Sequence, residues 1–369
     1  MKRICKWYGL AIAAAFLAAP VEAALIVRDL GTLGGSSSNG NGINASGQVV
    51  GYSYTAGDAA IHAFLYSGGS RTDLGTLGGT NSFGQGINAS GQVVGYSDIT
   101  GDAATHAFLY SGGAITDLGT LGGANSVGLG INASGQVVGY SNVPGGGARH
   151  AFLYSGGSRT DLGTLGGASS VGLGINASGQ VVGNSDTGDG ARHAFLYSGG
   201  SMTDLGTLGG AFSVGYCINA SGQVVGNSDV PGAAGSHAFL YSGRAMTNLG
   251  TLGGANSTAF GINASGQVVG NSQIAGNADS HGFLYSGGAM TDLNSLIEPN
   301  SGWTIFDARA INDRGQIAAS GLNASGGGVH ALLLDPQNVA PVPEPSTLAL
   351  GGIAAAFLGL ASWRRQFGA

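Results

Sequence analysis

The chain is built from a repeat of 43 or 44 residues, and this period is the strongest constraint on its fold. Each unit carries three blocks in a fixed order, DLGTLGG, INASGQVVG and HAFLY, and only the last unit stretches to 49 residues. Such regular self-similarity predicts one small structural unit used many times, and not a single large core. A histidine opens the third block in every unit, and these seven are all the histidines in the chain: His62, His106, His150, His193, His237, His281 and His330.

Each unit is predicted to contain four short β-strands. Asn-Ala-Ser-Gly between an Ile and a Val-Val pair is typical of a hairpin turn, because Asn can bond the backbone ahead of it and Gly can turn the chain back. The HAFLY and TDLGTL segments add a third and a fourth strand. Four strands in about 44 residues is the size of one propeller blade.

The order of the blocks predicts how the ring closes. The chain enters the repeats on a DLGTL strand, Leu25 to Leu33, and its seventh unit ends at His330-Ala-Leu-Leu-Leu without such a strand. The first strand can therefore complete the last blade, which removes two open sheet edges. The predicted fold is all-β, a seven-bladed β-propeller closed by the N-terminal strand.

The repeated triplet His-Ala-Phe, with INASGQVVG upstream of it, resembles the bacterial extracellular repeats of the HAF family. The resemblance covers residues 29 to 335. The sixth unit departs from it with His281-Gly282-Phe283, and the seventh departs further with INDRGQIAA and HALLL. The resemblance implies a secreted bacterial protein, and it brings no defined activity.

Residues 1–23 have the pattern of a secretory signal peptide. Lys2, Arg3 and Lys6 give a positive start, and an uncharged apolar run follows them. Small residues then precede a cleavage site predicted between Ala23 and Ala24.

Residues 339–369 are predicted to be a sorting tail behind a repeat domain of residues 24–338. A Pro-rich segment leads into an uncharged stretch, 346–363, which as a helix would span about 27 Å, enough for a bilayer. The tail resembles the PEP-CTERM sorting signal of Gram-negative bacteria, which implies recognition by an exosortase, removal of the helix, and release to the cell surface or an exopolysaccharide matrix. A plain membrane anchor is the alternative. The residues that carry the resemblance are Val342, Pro343, Glu344, Pro345, Arg364 and Arg365.

The composition of the repeat domain argues against several partners. It holds eight Arg, no Lys and 17 acidic residues, a net charge of −9. An acidic domain disfavours nucleic acid and anionic membrane surfaces. Cys217 is its only cysteine, so a disulfide framework is not expected, and no cofactor is predicted.

Residues that could bind metals are spread out by the repeat. One His per unit places the seven around a ring and not on one ion, so local structural hydrogen bonds are predicted for them. The Asp of each DLG is predicted to cap a turn, and Asn-Ala-Ser is predicted to be a turn and not a glycosylation site. Asp98 with Asp102, and Asp186 with Asp189, lie in loops and could bind Ca²⁺ weakly, although a full calcium-loop pattern is lacking.

The segments just before each His differ most between units and are rich in Gly, Asp, Ser and Pro. Variable loops on a rigid scaffold are where binding usually occurs. The predicted function is a non-catalytic binding or structural protein of the envelope or biofilm matrix, with exopolysaccharide as its partner. One alternative is a glycan-active enzyme that uses Glu298, Trp303 and Asp307. The other is an ice-binding protein, for which Thr32, Thr76 and Thr120 recur once per unit.

Overall fold

The computed structural model describes residues 25–337, except 233–234 and 277–278. These residues form seven separate four-stranded antiparallel sheets and almost no helix. Each sheet packs against the next in sequence, and the seventh packs against the first. The predicted all-β, seven-bladed propeller is therefore confirmed.

The strands follow one another blade by blade after β1 (Leu25–Asp29). Blade 1 holds β2 (Gly34–Ile43), β3 (Val49–Thr55), β4 (Ile61–Ser67) and β5 (Ser70–Asp73); blade 2 holds β6 (Gly78–Ile87), β7 (Val93–Ile99), β8 (Thr105–Ser111) and β9 (Ala114–Asp117). Blade 3 holds β10 (Ser126–Ile131), β11 (Val137–Asn142), β12 (Arg149–Ser155) and β13 (Ser158–Asp161); blade 4 holds β14 (Gly166–Ile175), β15 (Val181–Thr187), β16 (Arg192–Ser198) and β17 (Ser201–Asp204). Blade 5 holds β18 (Ser213–Ile218), β19 (Val224–Asp229), β20 (Ser236–Ser242) and β21 (Ala245–Gly250). Blade 6 holds β22 (Gly253–Ile262), β23 (Val268–Ile274), β24 (Ser280–Ser286) and β25 (Ala289–Asp292), and blade 7 holds β26 (Trp303–Ile311), β27 (Ile317–Asn323) and β28 (Val329–Pro336). Three short 3-10 helices are Ala56–Asp58, Thr100–Asp102 and Leu293–Ser295.

The core lies between blades, and the repeated apolar residues build it. Phe108 of blade 2 is fully buried against Val50 and Ala63 of blade 1, and the same contact recurs around the ring. The second Gly of INASGQVVG is required by close packing within the blade, because a Cβ at Gly51 would lie 1.8 Å from the Asn39 carbonyl oxygen. Middle strands covered on both faces explain the apolar runs QVVG and AFLY.

The N-terminal strand closes the ring. β1 pairs antiparallel with β28, from Leu25 opposite Pro336 to Asp29 opposite Leu332, so the seventh sheet has the order β1-β28-β27-β26. The backbone N–H of Leu30 then donates to Ala331 O at 3.0 Å. The outermost strand of the last blade therefore comes from the start of the chain.

The outer strands are shorter than the sequence pattern predicted. β5 ends at Asp73, and Leu-Gly-Thr-Leu crosses to the inner strand of the next blade, β6, which begins at Gly78. The turn has a local cause, because the Asp73 carboxylate accepts from the N–H of Gly75, whose φ is +72°. Only β21 continues past this point, to Gly250.

No helix among the described residues is long and apolar enough to cross a membrane. The predicted signal peptide (1–23), the cleavage site at Ala23 and Ala24, the predicted helix (346–363) and the whole sorting tail lie outside the described residues.

Candidate functional site

The propeller has two unlike faces. The INASG turns lie at one end of every blade, and we call this the turn face. The variable segments between the second and third strands lie at the other end, together with the connections between blades; Leu33, in such a connection, donates its N–H to Ser53 Oγ at the end of β3. We call this second end the loop face.

Each histidine holds the outer strand of its blade at the loop face. His62 Nδ1 lies 2.8 Å from a carboxylate oxygen of Asp73, and the same pairing recurs in five further blades. In blade 5, Asn248 replaces the Asp, and its side-chain nitrogen lies 2.9 Å from His237 Nδ1. In the closing blade the partner of His330 is Asp29, at the far end of the chain. The seven histidines thus lie apart on separate blades, and the described residues contain no group of three His, Cys, Asp or Glu side chains suited to a metal ion.

The asparagines of the INASG turns form a closed ring of hydrogen bonds that links the blades. Asn44 Oδ1 accepts from the N–H groups of Ser46 and Gln48, which shapes the turn. Its Nδ2 donates to the carbonyl oxygen of Asn88 in the next blade at 3.0 Å. The pattern continues through all seven blades at 3.0 to 3.2 Å, and Asn312 Nδ2 completes it by donating to Asn44 O. These side chains are only 4–6% exposed, so the Asn-Ala-Ser sequence is not accessible to glycosylation in the folded protein.

One residue from each inner strand faces the central channel. These seven, which we call the channel ring, surround a cavity of about 200 Å³. Their polarity is segregated, because blades 7, 1 and 2 supply polar side chains and blades 3 to 6 supply apolar or aromatic ones. In blade order from blade 1 they are Asn41, Gln85, Leu129, Leu173, Tyr216, Phe260 and Arg309.

The middle strands divide the loop face into an aromatic and an amide half. At the position that follows the Gly of QVVG, blades 1 to 3 carry Tyr52, Tyr96 and Tyr140, whereas blades 4 to 6 carry Asn184, Asn227 and Asn271. Phe83 lies between the first two tyrosines, with its ring centre 5.1 Å from Tyr52 and 4.8 Å from Tyr96. We call Tyr52, Phe83, Tyr96 and Tyr140 the aromatic arc.

A polar groove of about 840 Å³ opens beside the aromatic arc. It extends from Gln85 and Leu129 in the channel ring, past Tyr96 and Tyr140, to the variable loop at Gly147. Its volume lies within the range of ligand-binding pockets. Hydroxyl, amide and guanidinium groups complete its wall: Thr105, Asn125, Asn142, Arg149, Ser169 and Arg192.

The groove combines neutral hydroxyl donors with fixed positive charge. Burial, with a smaller effect from neighbouring Tyr140, raises the pKa of Tyr96 to about 12, so its hydroxyl stays protonated at neutral pH. The Arg149 guanidinium lies 4.9 Å from the centre of the Tyr140 ring, in a cation–π contact. Arg192 is held by Asp186, with Nε 2.8 Å from Oδ1. Such a wall suits a polyhydroxylated ligand better than an apolar one.

The residues proposed for a glycan-active enzyme each contact different partners. Trp303 packs into the core of the closing blade and against His330, with ring centres 5.7 Å apart. Glu298 accepts a hydrogen bond from Gln337. Asp307 is buried beside Arg309 and Asn271. No hydrogen bond, ion pair or ring contact among the described residues joins these three groups to one another.

The proposed calcium and ice-binding residues are occupied by local contacts. Asp98 accepts from Asn81 and Thr105, and Asp102 accepts from the N–H and hydroxyl of Thr80, which lowers the pKa of Asp102. Asp186 is paired with Arg192, and Asp189 accepts from Thr187. The threonine hydroxyls lie in the connections between blades; those of Thr32, Thr76 and Thr120 each accept the N–H of a Gly two residues ahead.

Cys217 lies where most inner strands carry Gly, and burial raises the pKa of its thiol. A raised thiol pKa lowers the fraction of thiolate, so this cysteine is poorly reactive at neutral pH.

The aromatic arc and the channel ring are functional candidates that the sequence predictions did not name. A signal for the first was present, because the segment GYS in units 1 to 3 becomes GNS in units 4 to 6. The sequence signal for the channel ring is only a shared position, since each member lies three residues before the Asn of its turn. The residue types at that position differ between units, so the ring can be recognised as a site only from the structure.

Comparisons with known proteins support the tail and the fold separately. The PEP-CTERM protein-sorting motif matches residues 341–366. This motif implies export and sorting by an exosortase to the cell surface or the extracellular space. No curated protein sequence matches the chain.

The propeller is similar to the β-propeller domain of the trilobed protease from Pyrococcus furiosus, with 9% identity and a TM-score of 0.50 over 70% of this chain and 84% of that one. A puromycin-hydrolysing peptidase from Mycobacterium tuberculosis matches with 11% identity and a TM-score of 0.49, over 80% of this chain and 52% of that one. A gluconolactonase from Xanthomonas campestris matches with 11% identity and a TM-score of 0.41, over 87% and 99%. At these identities the likeness shows the fold alone. The chain is thus similar to known β-propellers in its repeats and to the PEP-CTERM sorting motif in its tail.

Proposed function

We propose that this chain is a secreted, non-catalytic repeat protein of the HAF type that binds polysaccharide of the cell envelope or exopolysaccharide matrix at its loop face. The observation that carries the proposal is the 840 Å³ groove beside the aromatic arc. Tyrosines offer large rigid surfaces with a polar tip, which suits ligands that have both apolar faces and hydroxyl groups.

The placement of the groove supports the same function. It lies at the loop face, where the units differ most in sequence, and reaches Gly147 in the variable loop of blade 3. The exosortase sorting motif implies that the propeller reaches the outside of the cell. Until an exosortase cuts the tail, the predicted helix would hold the protein in the inner membrane, and release would then bring the propeller into contact with matrix polysaccharide.

A binding experiment with two groove variants tests the proposal. The protein purified from the cells that export it should bind a subset of glycans on an array and the host's exopolysaccharide in a pull-down. Tyr96→Ala and Tyr140→Ala should each weaken binding about tenfold, as expected when a central aromatic contact is truncated.

Asn227→Ala is the matched control. It changes the equivalent strand position in blade 5, which does not line the groove. We expect unchanged binding. If the wild type binds no glycan, or if the control weakens binding as much as the tyrosine variants, a binding role for this groove is wrong.

A further inference from the structure

Among the seven residues of the channel ring, Arg309 is the one with a charged side chain. Arg309 is 43% exposed, although Asp307, two residues before it, is only 10% exposed. The other blades place neutral residues at the position of Asp307, namely Asn39, Phe83, Val127, Val171, Val214 and Thr258. The charged pair is thus a feature of the seventh blade and not of the repeat.

Neighbouring side chains hold the guanidinium of Arg309 in place. Its Nε donates to Asp307 Oδ2 at 2.5 Å, and its carbon atom lies 4.3 Å from the centre of the Phe260 ring. Asn271 Nδ2 donates to the other oxygen of Asp307 at 3.3 Å. Because both Asp307 oxygens have partners and the arginine is stacked, the orientation of the guanidinium is set before any ligand arrives.

The terminal nitrogens of Arg309 remain available. Within the described residues they bond no protein acceptor, and the Gln85 amide in the same ring likewise makes no hydrogen bond. A guanidinium edge with two parallel N–H groups matches the two oxygens of a carboxylate.

The rest of the ring is apolar or aromatic. Leu129 and Leu173 lie across a cavity of about 200 Å³ from Arg309, and Tyr216 and Phe260 complete the wall on one side of it. The ring therefore suits a small molecule that has a carboxylate at one side and an apolar face at the other.

We propose that the channel ring is a binding site for a small carboxylate with an apolar face, with Arg309 as its anion contact. The proposal does not rest on polysaccharide binding. A uronic acid sugar and an aromatic acid both have this chemistry, and the experiment separates them. Gln85 and Leu129 belong to the ring and to the groove, so a uronate at the end of a glycan chain could reach both.

Calorimetry and thermal unfolding of the protein purified from the cells that export it test this site. The probes are benzoate with benzamide, and glucuronate with glucose, each pair matched in shape and different in charge. At least one acid should bind about 10- to 100-fold more tightly than its neutral partner, the ratio expected for hydrogen bonds to a charged group. Preference for benzoate indicates an aromatic acid, and preference for glucuronate indicates a sugar acid.

Three variants assign the site. Arg309→Gln should remove the preference for the acid, but it leaves Asp307 buried without its partner and so can unfold the blade. The double variant Asp307→Asn with Arg309→Gln removes both charges and keeps the fold testable. Arg149→Gln, which removes an equal charge from the groove, should leave carboxylate binding unchanged.

Equal binding of the acids and their neutral partners, no binding of either acid, or full carboxylate binding by the folded double variant would overturn the proposal. Loss of carboxylate binding in Arg149→Gln alone would move the site to the groove and also overturn it. Because glycan binding is measured through Tyr96 and Tyr140, failure of either proposal leaves the other open to its own test.

Discussion

At the residue scale, the buried asparagines have two structural roles, and their sequence predicts only the first, which is to shape the turn. Six of the seven Asn accept two backbone N–H groups of their own turn, Asn263 accepts one N–H and the Ser265 hydroxyl, and all seven donate to the backbone of the next blade. An Asn-Ala-Ser-Gly segment predicts the first role, since the bonded groups are close in sequence. The second role joins residues 43 to 49 apart, or 268 apart at closure, and depends on blade geometry that no single unit contains.

Replacing Asn132 by Asp tests the donor in this ring. The variant keeps an acceptor oxygen and loses the N–H group that reaches Asn176 O. Burial disfavours the charged carboxylate, so its pKa in the folded state is raised above the unfolded value. Stability relative to the wild type is then best at low pH and falls as the pH rises through the folded pKa. We expect a loss of about 1–3 kcal/mol in the free energy of unfolding at pH 7, with partial recovery near pH 4.

Urea unfolding of both proteins at the two pH values measures this effect. Ser134→Ala, which removes only a hydroxyl contact to Asn132 Oδ1, is the control and should change stability by less than about 0.5 kcal/mol. An Asp variant with the same deficit at both pH values would show that the buried donor is not the cause.

At the element scale, the outer strand of the closing blade differs from the other six in how it is attached. A two-residue turn, such as Gly156-Gly157, joins β12 to β13, whereas no turn joins β1 to β28. β1 stays in place through its ladder with β28, through Leu25 N–H to Leu296 O, and through the Asp29–His330 pair. The closure was predictable because the last unit lacks an outer strand and the residues before the first complete unit supply a spare one. The end of each outer strand at its Asp was not predictable. The hydrogen bond from the Gly N–H to the Asp carboxylate turns the chain there, although the alternating Leu residues that follow are typical of a continuing strand.

Matched substitutions compare the two kinds of outer strand. Asp29→Ala and Asp161→Ala each delete the same His contact and the same turn contact to a Gly N–H. The local loss is similar, about 1 kcal/mol or less for these exposed pairs. Without a tight turn, β1 regains more freedom when it detaches, so we expect faster amide exchange in β1 than in β13 of the respective variants.

Hydrogen exchange read by mass spectrometry on peptides that cover 25–29 and 158–161 checks this expectation. The wild type gives the baseline for each strand. Equal acceleration in both variants would mean that the Asp29–His330 pair has no special part in closing the ring.

At the scale of the whole molecule, the sorting motif predicts that the chain changes length after export. Pro343-Glu344-Pro345 cannot continue a helix and suits access by a processing enzyme, since proline lacks an N–H and favours extended backbone. Replacing these three residues by Ala should leave export intact and trap the full-length protein in the membrane fraction. The wild type should appear outside the inner membrane, shortened by about the mass of the tail.

Intact mass measurement of the surface or secreted protein decides between processing and plain anchoring. Arg364→Gln with Arg365→Gln is a useful comparison, because it alters the end of the tail and leaves the proline motif in place. A wild type that still ends at Ala369 would mean that the tail acts only as an anchor.

The pairing of Leu25 with Pro336 also has a mechanical meaning. Both ends of the propeller lie side by side in one sheet, so any pull that reaches residue 337 enters β28 first. β28 lies between β1 and β27, and the two ladders share that force in parallel. The closing blade therefore bears this pull before any other blade does. The groove, on blades 2 to 4, lies away from the strand at which the pull enters.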